Sequence, residues 1–120
     1  MKVAVSSQGP SLGSPVDPRF GRAAYFIIYD TDSLSFESYS NAENSTAAHG
    51  AGIQTAQWVA QQSVATVVSG NMGPKAFEAL KAAGIKMVAW DQGTVEEAIE
   101  LVRKGELQPI DAANARGHGR

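Results

Sequence analysis

The chain has 120 residues, 43% of them hydrophobic and 18% charged, with a formal net charge of -2, which is the size and mixture of one globular domain with its own core. So small a charge leaves no electrostatic footprint for nucleic acid or an anionic membrane, and no apolar run is long enough to span a bilayer. There is no cysteine, which excludes disulfides, thiolate catalysis and cysteine-ligated zinc or iron–sulfur clusters within the chain.

Residues 2–5 (KVAV) read as a first, buried strand. The opening MKVAV is too short and too strand-like for a signal peptide, so a cytoplasmic location is expected. Residues 6–18 (SSQGPSLGSPVDP) form a loop whose length is usual for functional or mobile segments. YFIIYD at Tyr25–Asp30 is an aromatic and β-branched strand. A turn at 31–33 leads into residues 34–40, where Leu34 and Phe36 alternate with Ser35, Glu37 and Tyr39 as the edge arm of a hairpin.

Residues 41–52 are small and polar, and a helix begins within them whose apolar positions are Ile53, Ala56, Val59 and Ala60. The stretch from Val64 to Gly84 is the organising one. A short apolar run suits a strand covered on both faces, and SGNMG at 69–73 breaks it. Pro74 then opens a helix with Ala76, Phe77, Leu80 and Ala83 at helical spacing, and Gly84 stops it. Residues 85–89 form another strand and 91–93 a turn. Thr94 and Glu97 have capping-box spacing, and Val95, Ala98, Ile99 and Val102 make one apolar face. Arg103, Lys104 and Gly105 end that helix. The domain is therefore expected over 1–104, with 105–120 a loosely held tail.

The element order β-β-β-α-β-α-β-α, with right-handed crossovers, predicts an α/β fold. Its mixed five-stranded sheet has order 3-2-1-4-5, with the second strand antiparallel to the first. In that topology the segments 6–22, 41–52, 69–73 and 91–93 emerge at one end, where open α/β sheets bind their ligands.

Most of the chemically suggestive residues lie in those segments. Arg19 and Arg22, in DPRFGRA, present two guanidinium groups to an anion; alternatively one pairs with Asp17 and the other covers surface. Phe20 between them reads as a core plug. His49, in HGAG, is a metal ligand, an anion contact or a helix-start histidine bonded to backbone. Gly50 and Gly52 allow close backbone approach, and Gly70 to Gly73 offer N–H groups at a helix start. Asn71 caps the helix or takes a left-handed conformation, and Met72 is a soft ligand or a gap-filler. His118 in the tail would supply a second imidazole if the tail folds back. No P-loop, dinucleotide fingerprint or carboxylate cluster is present, so no enzyme is expected.

DPRFGRAAYF from Asp17, HGAGIQTAQWVA from His49, VVSGNMGPKAFEALKAAGIK from Val67 and GTVEEAIELV from Gly93 together resemble the dinitrogenase iron–molybdenum cofactor biosynthesis family, over roughly residues 1–104. The resemblance implies a ribonuclease H-like, three-layer α/β/α fold. It also implies non-catalytic binding and delivery, or sensing, of an iron–sulfur or iron–molybdenum-type cluster or its precursor, held transiently. A metallocluster-assembly or recipient protein is the partner implied, with an oligomer open. Accessory members that carry the cofactor have histidine before Phe-Gly, where this chain has Arg19. Without that imidazole, an anionic cluster would be held by charge. A binding module for a phosphorylated small molecule, or an interaction module acting through a partner, are the alternatives.

Overall fold

The computed structural model describes residues 1–114, so His118 lies outside the described residues. Three strands come first: β1 (Lys2–Ser7), β2 (Tyr25–Asp30) and β3 (Ser35–Ser40). They are followed by α1 (Ala42–Ser45), α2 (Ala51–Ala60), β4 (Thr66–Ser69), α3 (Pro74–Ala82), β5 (Lys86–Ala89) and α4 (Val95–Arg103). The sheet order is β3-β2-β1-β4-β5. β1 pairs parallel with β4, and β4 with β5, while β1–β2 and β2–β3 are antiparallel. This is the predicted mixed sheet.

Alternation along the strands divides the core into two. Ala4, Phe26, Ile28, Val67 and Met87 face α2 and α3, where Ala56, Val59, Ala76, Phe77 and Leu80 meet them. Val3, Val5, Ile27, Val68 and Val88 face α4, through Val95, Ala98 and Ile99. Helices thus cover both faces, giving three layers.

The elements depart from the sequence reading in specific places. β1 continues to Ser7 because the buried Ser6 hydroxyl finds partners, donating to Asp17 O at 2.7 Å and lying 2.8 Å from the Ser69 hydroxyl. Leu34 belongs to the turn at φ 58° and is 64% exposed, so β3 starts one residue later. On α2, Ala51 and Thr55 take the buried positions assigned to Ile53 and Ala60. Ile53 is half-buried and Ala60 exposed.

The long first loop is pinned at three points. Ser7 bridges Val16, Pro15 bridges Thr94, and Arg19 bridges Asn71. Its carbonyls also serve α4: Val95 N–H donates to Ser14 O and Glu96 N–H to Leu12 O, each at 2.9 Å.

Beyond residue 104, where a loosely held tail is expected, the described residues make specific contacts. Pro109 bridges Val88, and Ile110 N–H donates to Met87 O at 2.8 Å, so this segment covers the outer edge of β5. Asn114 then reaches the turn after β4, donating its N–H to Met72 O at 3.0 Å. A free sheet edge with unpaired backbone groups is what draws the segment in.

Candidate functional site

A cavity of about 650 Å³ opens beyond the ends of β1 and β4. Three segments build it. The first loop supplies residues 19–22, the start of α2 residues 50–53, and the turn into α3 residues 71 and 73–76. Two close backbone approaches draw these together. A Cβ on Gly21 would lie 2.8 Å from both Cα and N of Gly52, and one on Gly70 would lie 2.8 Å from Cα and O of Pro18. Only glycine lets the first loop cross α2 and β4 at that distance. Phe20 is 2% exposed and packs edge-on against Phe26 at 5.4 Å between ring centroids, so it is the plug expected of it.

Besides the single-turn α1, three helices start at this end, and they are finished differently. α4 has a full capping box, Thr94 Oγ1 accepting from Glu97 N–H and Glu97 Oε1 from Thr94 N–H, with Glu96 and Glu97 in its first turn. Its remaining early N–H groups are taken by the first loop. α2 and α3 have no side-chain cap and no acidic residue in the first turn. Both of these bare N-termini line the cavity. Their early N–H groups and positive dipole ends therefore face the same space.

Cations surround that space. Lys75 occupies the first turn of α3 and lines the cavity. A lysine there runs against the helix dipole, an unfavourable position unless an anion joins it. Arg22 also lines the cavity. Its Nη1 donates to Ser45 O at 2.7 Å and Ala47 O at 3.2 Å, which orients the guanidinium without neutralising it. Arg19 is different. Its Nε donates to Asp17 Oδ1 at 3.1 Å and its Nη2 to Asp17 Oδ2 at 3.2 Å. This hydrogen-bonded pair, together with the charge of Asp17, raises the Arg19 pKa further. Asp17 is 1% exposed and also accepts from the Arg19 and Ala24 N–H groups, so the pair braces the loop. Of the two readings of the arginines, the pairing with Asp17 holds for Arg19, while Arg22 keeps its charge for the cavity.

The remaining sequence candidates fall as follows. Gly50, Asn71 and Gly73 line the cavity with Arg19 and Arg22. Asn71 neither caps α3, whose N-cap is Gly73, nor takes a positive φ. It locks the first loop, its Nδ2 donating to Pro18 O at 2.7 Å and its carbonyl accepting from Phe20 N–H at 3.2 Å. His49 is exposed, one residue before Gly50, and is outside the cavity lining. Met72 is 0% exposed in the core, so its thioether is a packing group and cannot reach a ligand. Gly70 is buried beneath the turn. The Met72 N–H is occupied by Asn114 Oδ1 at 2.9 Å, so the donors at this turn come from α3. The turn at 91–93 is separated from the cavity by the first loop, since Val16 N–H donates to Gly93 O at 2.9 Å. The close backbone approach read for Gly52 occurs against Gly21, while Lys75 and the role of Gly21 were missed in the sequence. The signal for Lys75 was a cation directly after an N1 proline.

Among the described residues no group of three or more His, Asp or Glu side chains could hold a metal ion. The donor set therefore fits a bound anion, held by N–H groups and cations against the apolar Phe20, Ile53 and Ala76, better than a ligated metal. No helix among the described residues is long and apolar enough to cross a membrane.

The chain is similar to known proteins in sequence and fold. A family model described as "Dinitrogenase iron-molybdenum cofactor" matches residues 1–105. The apo form of the orange protein from Desulfovibrio gigas is 39% identical, with a TM-score of 0.91 over 94% of this chain and 95% of that one. A NifB candidate from Thermotoga, described as belonging to the DUF35 family, is 40% identical with a TM-score of 0.83 over 97% and 98% of the two chains. An uncharacterized protein of Methanocaldococcus jannaschii is 27% identical over 113 residues, 92% of each chain.

Proposed function

This chain belongs to the dinitrogenase iron–molybdenum cofactor family, and from that premise we propose that its cavity binds and delivers an anionic metallocluster, or a precursor of one, without catalysis. One observation carries the reading: two uncapped helix N-termini and the cations Arg22 and Lys75 line a single cavity. An iron–sulfur or iron–molybdenum-type cluster is a compact anion with a polarisable surface. It suits N–H donors and cations on one side and apolar contacts on the other. Holding without ligation leaves the cargo free to transfer to a recipient protein. The neighbour described as an apo form of an orange protein supports a family member with a loaded, coloured state. Arg19 is the residue that stands where histidine is found in the accessory members, and here it braces the loop against Asp17.

The test is anaerobic titration with a water-soluble synthetic iron–sulfur cluster anion, read by absorbance after gel filtration. Saturable binding is expected, weakening about tenfold in Arg22→Ala or Lys75→Ala, as for loss of a charged hydrogen bond. His49→Ala is expected to bind like the parent. No retained cluster absorbance defeats the reading, and loss of binding in His49→Ala replaces it with ligation. The same N–H groups and cations would also hold a phosphate, so inorganic phosphate and nucleotides form the comparison arm. Stabilisation by these alone would assign the cavity to a phosphorylated small molecule.

A further inference from the structure

The family match ends at residue 105, yet the segment beyond it reaches the turn beside the cavity. Residue Asn114 meets the turn between β4 and α3 at three atoms. Its backbone N–H donates to Met72 O at 3.0 Å. Its Oδ1 accepts from Met72 N–H at 2.9 Å, and its Nδ2 donates to Gly70 O at 3.0 Å. The side-chain amide thereby pairs with the turn as a neighbouring strand would, and it occupies polar backbone groups that β4 has left behind.

The two residues flanking Met72 in sequence, Asn71 and Gly73, line the cavity. Asn71 carries the contact to Pro18 that seats the first loop, and Gly73 is the N-cap of α3. The orientation of one bare helix N-terminus and the seat of the arginine-bearing loop therefore both depend on the turn that Asn114 holds at Gly70 and Met72. Upstream, the segment is fastened to β5 at Pro109 and Ile110, so Asn114 arrives at a fixed place.

We propose that Asn114 is a positioning residue for the cavity, and that the segment 106–114 is a strap that sets the geometry in which α3 presents its N–H groups to an anion. The inference rests on the anion-binding reading above. It adds that competence for binding extends past the family domain, to a side chain that touches no ligand.

The experiment uses the full chain. Asn114→Ala removes both side-chain bonds and keeps the backbone one. Asn114→Asp keeps the acceptor for Met72 N–H and loses the donor to Gly70 O. Ile99→Ala, at a residue 4% exposed on the inner side of α4, across the sheet from α2 and α3, is the control for a general loss of stability. Two readouts are taken: affinity for the synthetic cluster anion, with inorganic phosphate alongside, and amide hydrogen exchange at Met72 in the free protein. Asn114→Ala is expected to speed Met72 exchange and weaken binding about tenfold, with Asn114→Asp between it and the parent. Ile99→Ala is expected to lower the melting temperature and leave affinity unchanged. Unchanged affinity in Asn114→Ala, or an equal loss in Ile99→Ala, overturns the proposal. If the parent binds neither probe, the cavity reading falls; exchange then decides alone, and an unchanged Met72 rate overturns the positioning role as well.

Discussion

At the scale of single residues, similar side chains have been given different work by their neighbours. Arg19 and Arg22 are three apart and both exposed, but only Arg19 has a carboxylate beside it. Asp17 holds that guanidinium in a planar, two-point pair and uses its remaining capacity on backbone N–H groups, which makes Arg19 part of the scaffold. Gly21 is equally structural. Gly21→Ala puts a methyl 2.8 Å from the Gly52 backbone, where nothing flexible can yield. A loss of about 2 kcal/mol is expected in denaturant unfolding, with weaker anion binding because the loop is pushed off α2. Asp30 supplies a pH signature. The Asp32 N–H bond at 2.9 Å, which outweighs the opposing effect of burial, holds its carboxyl below the ordinary 3.8. Its folded pKa is depressed, so its contribution is present above the unfolded value and lost as pH falls through the folded one. Asp30→Asn should therefore lower the melting temperature modestly at neutral pH, where the charged form contributes, and flatten its decline below about pH 4, so that variant and parent converge in acid.

At the scale of elements, the three helices at the cavity end show how local sequence divides structural from binding roles. α4 is self-sufficient at its start, with a capping box, two acids and loop carbonyls. Thr94→Ala should cost about 1 kcal/mol, read as a shift in the denaturant midpoint, and leave anion affinity unchanged. Among the described residues, α2 and α3 have no side-chain cap and no acid in the first turn. Capping and dipole complementarity are inexpensive in sequence, so their absence at two helices facing one cavity is informative. Pro74 contributes by starting α3 with no N–H of its own, leaving Lys75 and Ala76 to donate toward the cavity.

At the scale of the whole molecule, the chain is closed by contacts between segments distant in sequence. The strap from 106 to 114 covers the β5 edge and braces the turn at Gly70 and Met72. Removing residues 106–120 should lower the melting temperature by several degrees, since even 1 kcal/mol moves a domain of this size that far. It should also increase self-association in gel filtration by uncovering β5. An unchanged melting temperature would show the strap to be dispensable.

Much of this was written into local pattern. Strand alternation, the capping box at Thr94, Pro74 at a helix start and the short β2–β3 turn determined the elements, and chain connectivity left few ways to arrange them in a sheet. Those signals lie within a few residues of one another, where periodicity and turn chemistry operate. What the tertiary structure alone decided were the contacts across long separations: Asn71 locking Pro18, Met72 turning inward and Asn114 returning to the turn. Each depends on which polar group is left unsatisfied once the sheet has formed. A linear sequence does not carry that information, because it records neighbours along the chain and the unmet hydrogen bond belongs to neighbours in space.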